Sequence, residues 1–146
     1  MTETATQPET AVTVLLIDSL GEDRLKLAQI FTNSNWKVRW ASSRRQAIEI
    51  LQQTPAPVVI CERDLPDGTW REVLEETHFL AEAPLLIVAS RFADDFLWAE
   101  VLNLGGWDVL AKPLEAKEVI WSVNLAWREW NRRLGHSTEM KLLVAD

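Results

Sequence analysis

Five short apolar runs recur along this 146-residue chain, and each is followed by a segment whose apolar residues have helical spacing. That alternation constrains the fold more than any single residue does. Val12–Ile17 is apolar apart from Thr13, and Val58–Cys61 and Leu85–Ala89 are unbroken, the pattern of strands covered on both faces. Trp36–Ala41 alternates apolar and basic residues, which suits a strand nearer an edge, and Trp107–Ala111 supplies a fifth run. The intervening segments read as helices. Asp23 to about Asn33 carries Leu25, Leu27, Ala28 and Phe31 as its apolar positions. Ser43 offers a cap to Arg44–Gln53, with Ala47, Ile48 and Leu51 facing inward. A third helix passes through Trp70, Val73 and Leu74, and Phe92–Leu104 forms a fourth, closed by Gly105-Gly106. The fifth runs from about Glu115 to Leu134, where Gly135 is expected to stop it.

Strand–helix units repeated five times predict an α/β fold with a parallel sheet, right-handed crossovers and helices on both faces. The expected arrangement is the flavodoxin-like, doubly wound five-stranded sheet of order 2-1-3-4-5. One domain covers residues 12–134, preceded by a polar, frayed segment 1–11 and followed by a tail 135–146. Sites in such sheets form beyond the C-terminal ends of the strands, which gathers Asp18, Ser19, Glu62, Ala89, Ser90 and Lys112 around one crevice. A net charge of −7 argues against general binding to nucleic acid or to anionic membrane. No apolar run approaches the ~18 residues of a membrane span. The first ten residues lack the basic and apolar regions of a signal peptide, and the single cysteine, Cys61, fits a reducing compartment, so a cytoplasmic location is expected.

The stretch Val58-Val59-Ile60-Cys61-Glu62-Arg63-Asp64-Leu65-Pro66-Asp67-Gly68 resembles the third strand and following loop of two-component response-regulator receiver domains. The resemblance extends from about Val12 to Arg133. In that family an acidic pair after strand one binds Mg²⁺, and here it reads Asp18-Ser19. An aspartate ending strand three accepts the phosphoryl group, and Glu62 stands at that position. A hydroxyl residue ends strand four, where this chain has Ala89 with Ser90 next. The lysine that contacts the phosphoryl group is intact in Ala111-Lys112-Pro113, and Val109 replaces the aromatic switch residue three positions earlier.

Phosphorylation of a receiver is an in-line transfer to a carboxylate, in which a divalent ion and a lysine neutralise the phosphoryl oxygens. Ser19 removes one charged oxygen ligand. Glu62 is one methylene longer than Asp, which moves the nucleophile by roughly 1–1.5 Å and can cost about 10²-fold in rate. Ala89 lacks the hydroxyl donor, worth about 1–3 kcal/mol where it is used. The resemblance therefore implies a degenerate, stand-alone receiver that binds Mg²⁺ weakly at best, needs no other cofactor, and acts on a protein partner such as a histidine kinase or a downstream effector. It is not expected to be an enzyme. A Glu62–Lys112 ion pair would partly imitate the phosphorylated state, and a simple solvated acid in a decayed pocket is the plainer reading. The alternative function is a phosphorelay receiver that uses Glu62 or Asp64 as acceptor. A third reading places Asp18, Glu62, Asp64 and Asp67 around a metal for phosphoester chemistry, although no general base accompanies them.

On the outer surface, Ala116, Val119, Ile120, Val123 and Trp127 form the expected core stripe of the last helix. Trp98, Trp121 and Leu125 are surplus to it and suggest an exposed patch for a homodimer or protein partner. The arginines of Trp127–Arg133 complement a helix end and are weak support for nucleic-acid binding in an acidic chain.

Overall fold

The computed structural model describes residues 12–32 and 34–145, with side chains described as far as Gly135. The expectation for residues 1–11 lies outside the described residues. In chain order the elements are β1 (Thr13–Ile17), α1 (Arg24–Ile30), β2 (Lys37–Ala41), α2 (Arg44–Gln53), β3 (Val58–Glu62), β4 (Asp64–Leu65), β5 (Gly68–Thr69), α3 (Trp70–His78), β6 (Leu85–Ser90), α4 (Asp95–Asn103), β7 (Asp108–Ala111) and α5 (Ala116–Ala145). Five strands form one parallel sheet of order β2-β1-β3-β6-β7, which is the predicted 2-1-3-4-5. β4 and β5 are a two-residue antiparallel hairpin where only a loop is expected from sequence.

Period-two alternation explains why the central runs are apolar throughout. Val14 and Leu16 of β1, Val58 and Ile60 of β3, and Leu85, Ile87 and Ala89 of β6 join the core beneath α1 and α5. Their neighbours Leu15, Ile17, Val59, Cys61, Leu86 and Val88 join the opposite core beneath α2, α3 and α4. Burial there pushes the Cys61 thiol pKa up, so Cys61 behaves as a packed apolar side chain. The register Ile17↔Cys61 and Glu62↔Ala89 brings the strand ends level at one edge of the sheet. Glu62 continues the Val58–Ile60 face, so its side chain lies on the α1 and α5 side.

Helix caps follow the sequence in part. Ser43 accepts from the Gln46 N–H at 3.1 Å, as expected. α4 begins at Asp95 and not near Phe92, because Asp94 accepts from the Leu97 N–H at 2.9 Å and sets the first turn there. Leu25 and Ala28 lie on the solvent side of α1, whose buried contact is Leu27. The α5 stripe is rotated from its expected phase. Val119, Ser122, Val123 and Ala126 are buried, whereas Ala116 and Ile120 are exposed. Ser122 occupies a core position because its hydroxyl donates to Asp108 Oδ2 at 2.7 Å.

Gly135 does not stop α5, which continues to Ala145. It is absent from the glycines with positive φ, so it does not adopt the left-handed cap conformation. One glycine inside a helix costs only about 1 kcal/mol relative to alanine, too little to break a long hydrogen-bonded ladder.

Candidate functional site

Asp18 is fully buried just past β1. Its N–H donates to the Ala41 carbonyl at 3.0 Å, and its carboxylate accepts from the N–H groups of Leu20 at 3.3 Å and Asp23 at 2.8 Å. Trp40 closes the side of this loop, its indole N–H donating to the Asp18 carbonyl at 3.0 Å. Asp18 thus fixes the path of the chain from β1 into α1. Lys112 follows β7, its backbone N–H bonded to the Ser90 carbonyl at 3.0 Å, and the Lys112–Pro113 peptide is cis.

The Lys112 side chain is 6% exposed, and its ammonium sits between two carboxylates, 2.6 Å from Asp23 Oδ2 and 3.1 Å from Glu62 Oε2. Asp23 and Glu62 are themselves largely buried. The other Glu62 oxygen accepts from the Ser19 N–H and hydroxyl, each at 3.3 Å. Desolvation works to lower the Lys112 pKa, but the hydrogen bonds from Asp23 and Glu62 outweigh it, and the pKa is raised.

Ligand-like oxygens of Asp18, Asp23 and Glu62 lie within 4.8 Å of one another. Three carboxylates around one ammonium leave negative charge in excess. The donor set is of the hard-oxygen kind that a divalent ion such as Mg²⁺ takes, and these three residues would hold it. A bound ion would supply positive charge to the pocket, in competition with Lys112 for Asp23 and Glu62.

The structure brings together Asp18, Ser19, Glu62 and Lys112, and Glu62 and Lys112 open into a cavity of about 200 Å³ that Ala89, Ser90 and Asp64 also line. Val109 lies elsewhere. It pairs with Val88 and packs against the α2–α3–α4 core. Two acids offered by sequence do not join the carboxylate cluster, although Asp64 lines the rim of the same cavity as Glu62 and Lys112. Asp64 is turned outward, paired with Arg63 at 2.9 Å and 64% exposed. Asp67 accepts from the backbone N–H groups of Arg44 at 2.8 Å and Arg45 at 3.0 Å, at the start of α2. Desolvation opposes ionisation of Asp67, yet those backbone hydrogen bonds hold its pKa below the usual value. The set Asp18, Glu62, Asp64 and Asp67 is therefore not one site, and the acid that completes the pocket is Asp23.

Asp67 is carried by a hairpin that needs glycine beside it. Gly68 has φ +153°, and a Cβ there would come within 2.7 Å of Glu72 Oε1 and 2.9 Å of Arg44 Nε. Arg44 in turn donates to the Asp67 carbonyl at 2.9 Å and pairs with Glu76 at 2.5 Å.

On α5 Trp121 is 69% exposed and on α4 Trp98 is 50% exposed, and Ile120 and Leu102 are also exposed. Leu125 departs from expectation. It is half-buried, because the rotated phase of α5 turns it toward the body. Glu129 takes hydrogen bonds from Arg132 and Arg133, which lower its pKa to about 2, so two of the helix-end arginines are already paired. No helix among the described residues is long and apolar enough to cross a membrane.

The sequence profile of the response regulator receiver domain matches residues 14–124. The chemotaxis protein CheY of Thermotoga maritima is 22% identical over 112 residues, covering 76% of this chain and 93% of that protein. The two-component response regulator ORR5 of Oryza sativa subsp. japonica is 28% identical over 110 residues, covering 73% and 81%. Among solved structures, the signal receiver domain of an HD domain-containing protein from Pseudomonas fluorescens superposes with a TM-score of 0.74 at 22% identity, covering 84% of this chain and 98% of that one.

Proposed function

We propose that this chain, which belongs to the response regulator receiver domain family, works in two-component signalling as an interaction module whose state does not depend on phosphorylation. One observation carries the reading. The carboxylate at the acceptor position is already engaged on both oxygens, by Lys112 on one and by Ser19 on the other. A nucleophile held in that way must break an ion pair before it attacks, and Ala89 offers no hydroxyl to the incoming group. The Glu62–Lys112 contact partly imitates the activated arrangement, since a carboxylate carries one charge where a phosphoryl group carries about 1.5–2. Val109 has no aromatic ring to swing, which favours one fixed state over a toggle.

Mg²⁺ binds weakly in this reading, because Ser19 supplies no charge and Lys112 already occupies an oxygen of two of the three carboxylates. The chain is not an enzyme and acts in the cytoplasm on a protein partner, a histidine kinase or an effector. Trp98, Trp121, Ile120 and Leu102 provide the face for that partner or for a second copy.

The test is intact-mass spectrometry after incubation with a small phosphodonor and Mg²⁺. The expected result is almost no phosphoprotein from wild type and little from Glu62→Asp. The combination Ser19→Asp, Glu62→Asp, Ala89→Thr is expected to gain far more. Substantial wild-type phosphorylation lost in Glu62→Gln would replace this reading with that of a phosphorelay receiver using Glu62. Loss in Asp64→Asn instead would identify the acceptor as Asp64.

A further inference from the structure

We infer that Asp23 is the positioning residue of the pocket, the side chain that holds Lys112 in place beside Glu62. Three observations converge on it. Asp23 stands at the N-cap of α1, where an aspartate ordinarily turns its carboxylate back to a backbone N–H of the first turn, yet its side chain makes no such bond. Its Oδ2 lies 2.6 Å from Lys112 Nζ, nearer than Glu62 at 3.1 Å. Its backbone N–H donates to the buried Asp18 carboxylate at 2.8 Å, so Asp23 is itself held from behind. The cap is forgone, and the charge is directed across the sheet to the segment that follows β7.

The order of dependence is then Asp18 to Asp23 to Lys112 to Glu62. Asp18 fixes the backbone at Asp23, Asp23 fixes the ammonium, and the ammonium fixes one oxygen of Glu62. This also accounts for the tolerance of Ser19. The acid missing at the end of β1 is balanced by one at the start of α1, so the pocket keeps three carboxylates around its lysine. The relocated charge serves the lysine directly. Glu62 alone could not immobilise Lys112 equally well, because it is one partner on a longer side chain whose second oxygen is given to Ser19.

This inference rests on the proposed role of the Glu62–Lys112 pair as the resting state of the module, and its test is separate from the phosphodonor assay. The full chain is prepared with ¹⁵N-labelled lysine, and hydrogen exchange of the side-chain ammonium groups is followed by NMR, with Lys112→Arg assigning the signal. Wild type is expected to show a slowly exchanging Lys112 ammonium. In Asp23→Asn, exchange is expected to be faster by about tenfold or more, the factor carried by one charge-assisted hydrogen bond. Asp23→Glu should restore slow exchange, which a simple loss of α1 capping would not explain, and Glu62→Gln should perturb it less than Asp23→Asn. The backbone amide spectrum checks the fold of each variant. A Lys112 signal that exchanges fast in wild type, or is unchanged in Asp23→Asn, or depends mainly on Glu62, would overturn the assignment. Phosphorylation of wild type at Glu62 would defeat the proposed function and leave the positioning role of Asp23 intact.

Discussion

Replacing Lys112 by methionine keeps the length and much of the packing of the side chain and removes its charge. Three carboxylates are then left within 4.8 Å of one another, one fully buried and two largely so. Breaking a buried pair by deleting one partner costs about 3–5 kcal/mol. Asp23 and Glu62 retain a little exposure and can relax toward water, which favours the lower end, about 3 kcal/mol. For a domain of this size that corresponds to a fall in Tm on the order of 10 °C. The pH dependence identifies the cause. In wild type the Lys112 pKa is raised above its reference of 10.5, so its contribution is complete below that pH and is lost only as pH rises through the folded value. Lys112→Met lacks that group, so its deficit relative to wild type is expected to persist through neutral pH and to narrow only as pH rises toward the folded Lys112 value. Urea unfolding followed by circular dichroism at pH 4.5, 7 and 9 measures both effects. A variant within about 1 kcal/mol of wild type at pH 7, with the same pH profile, would show that solvent already screens this cluster.

Mg²⁺ titration followed by tryptophan fluorescence, with Trp40 against the Asp18 carbonyl as a local reporter, is expected to give millimolar or weaker affinity, as an order of magnitude. Saturable submillimolar binding would contradict it. Trp121→Glu is expected to weaken self-association or partner binding in light scattering while leaving the circular dichroism spectrum intact. A wild type that stays monomeric at high concentration removes the homodimer. Asp67→Ala should destabilise the domain by about 1–2 kcal/mol, because the first N–H groups of α2 lose their acceptor. Since the Asp67 pKa is depressed, that contribution is present above about pH 3.8 and disappears as pH falls through the folded value, and an unchanged urea midpoint at pH 7 would refute it.

β1, β3 and β6 were legible because short apolar runs rich in Val and Ile recur between segments of helical period, as strands covered on both faces do. Glu62 and Lys112 were legible for a related reason: each ends or follows such a run, at the edge where sites form. Asp23 was not. In Gly21-Glu22-Asp23 it reads as a helix start, and its partner Lys112 lies far away in sequence, so only the sheet brings them together. Asp67 was hidden in the same way, as an ordinary turn residue before Gly68 that caps a helix formed earlier in the chain. The phase of α5 is not legible around Ser122, a polar residue that enters the core because Asp108 accepts its hydroxyl. Ile120 and Leu125 moved to less buried and more buried positions accordingly, which no hydrophobicity pattern could reveal.

α5 carries a mechanical consequence. It starts four residues after Lys112 and, at 30 residues, is about 45 Å long. Its first half rests on the sheet through Val119, Val123, Ala126 and Trp127. A rod seated at one end converts small rotations into large displacements: a tilt of about 5° at Ala116 carries the far end through about 4 Å, comparable to the subunit and helix shifts that switch other proteins. The pocket and the distal turns are thus joined by a lever whose fulcrum lies beside the lysine. With Asp23 and Glu62 both paired to that lysine, the start of the lever is tied to the carboxylates of the pocket.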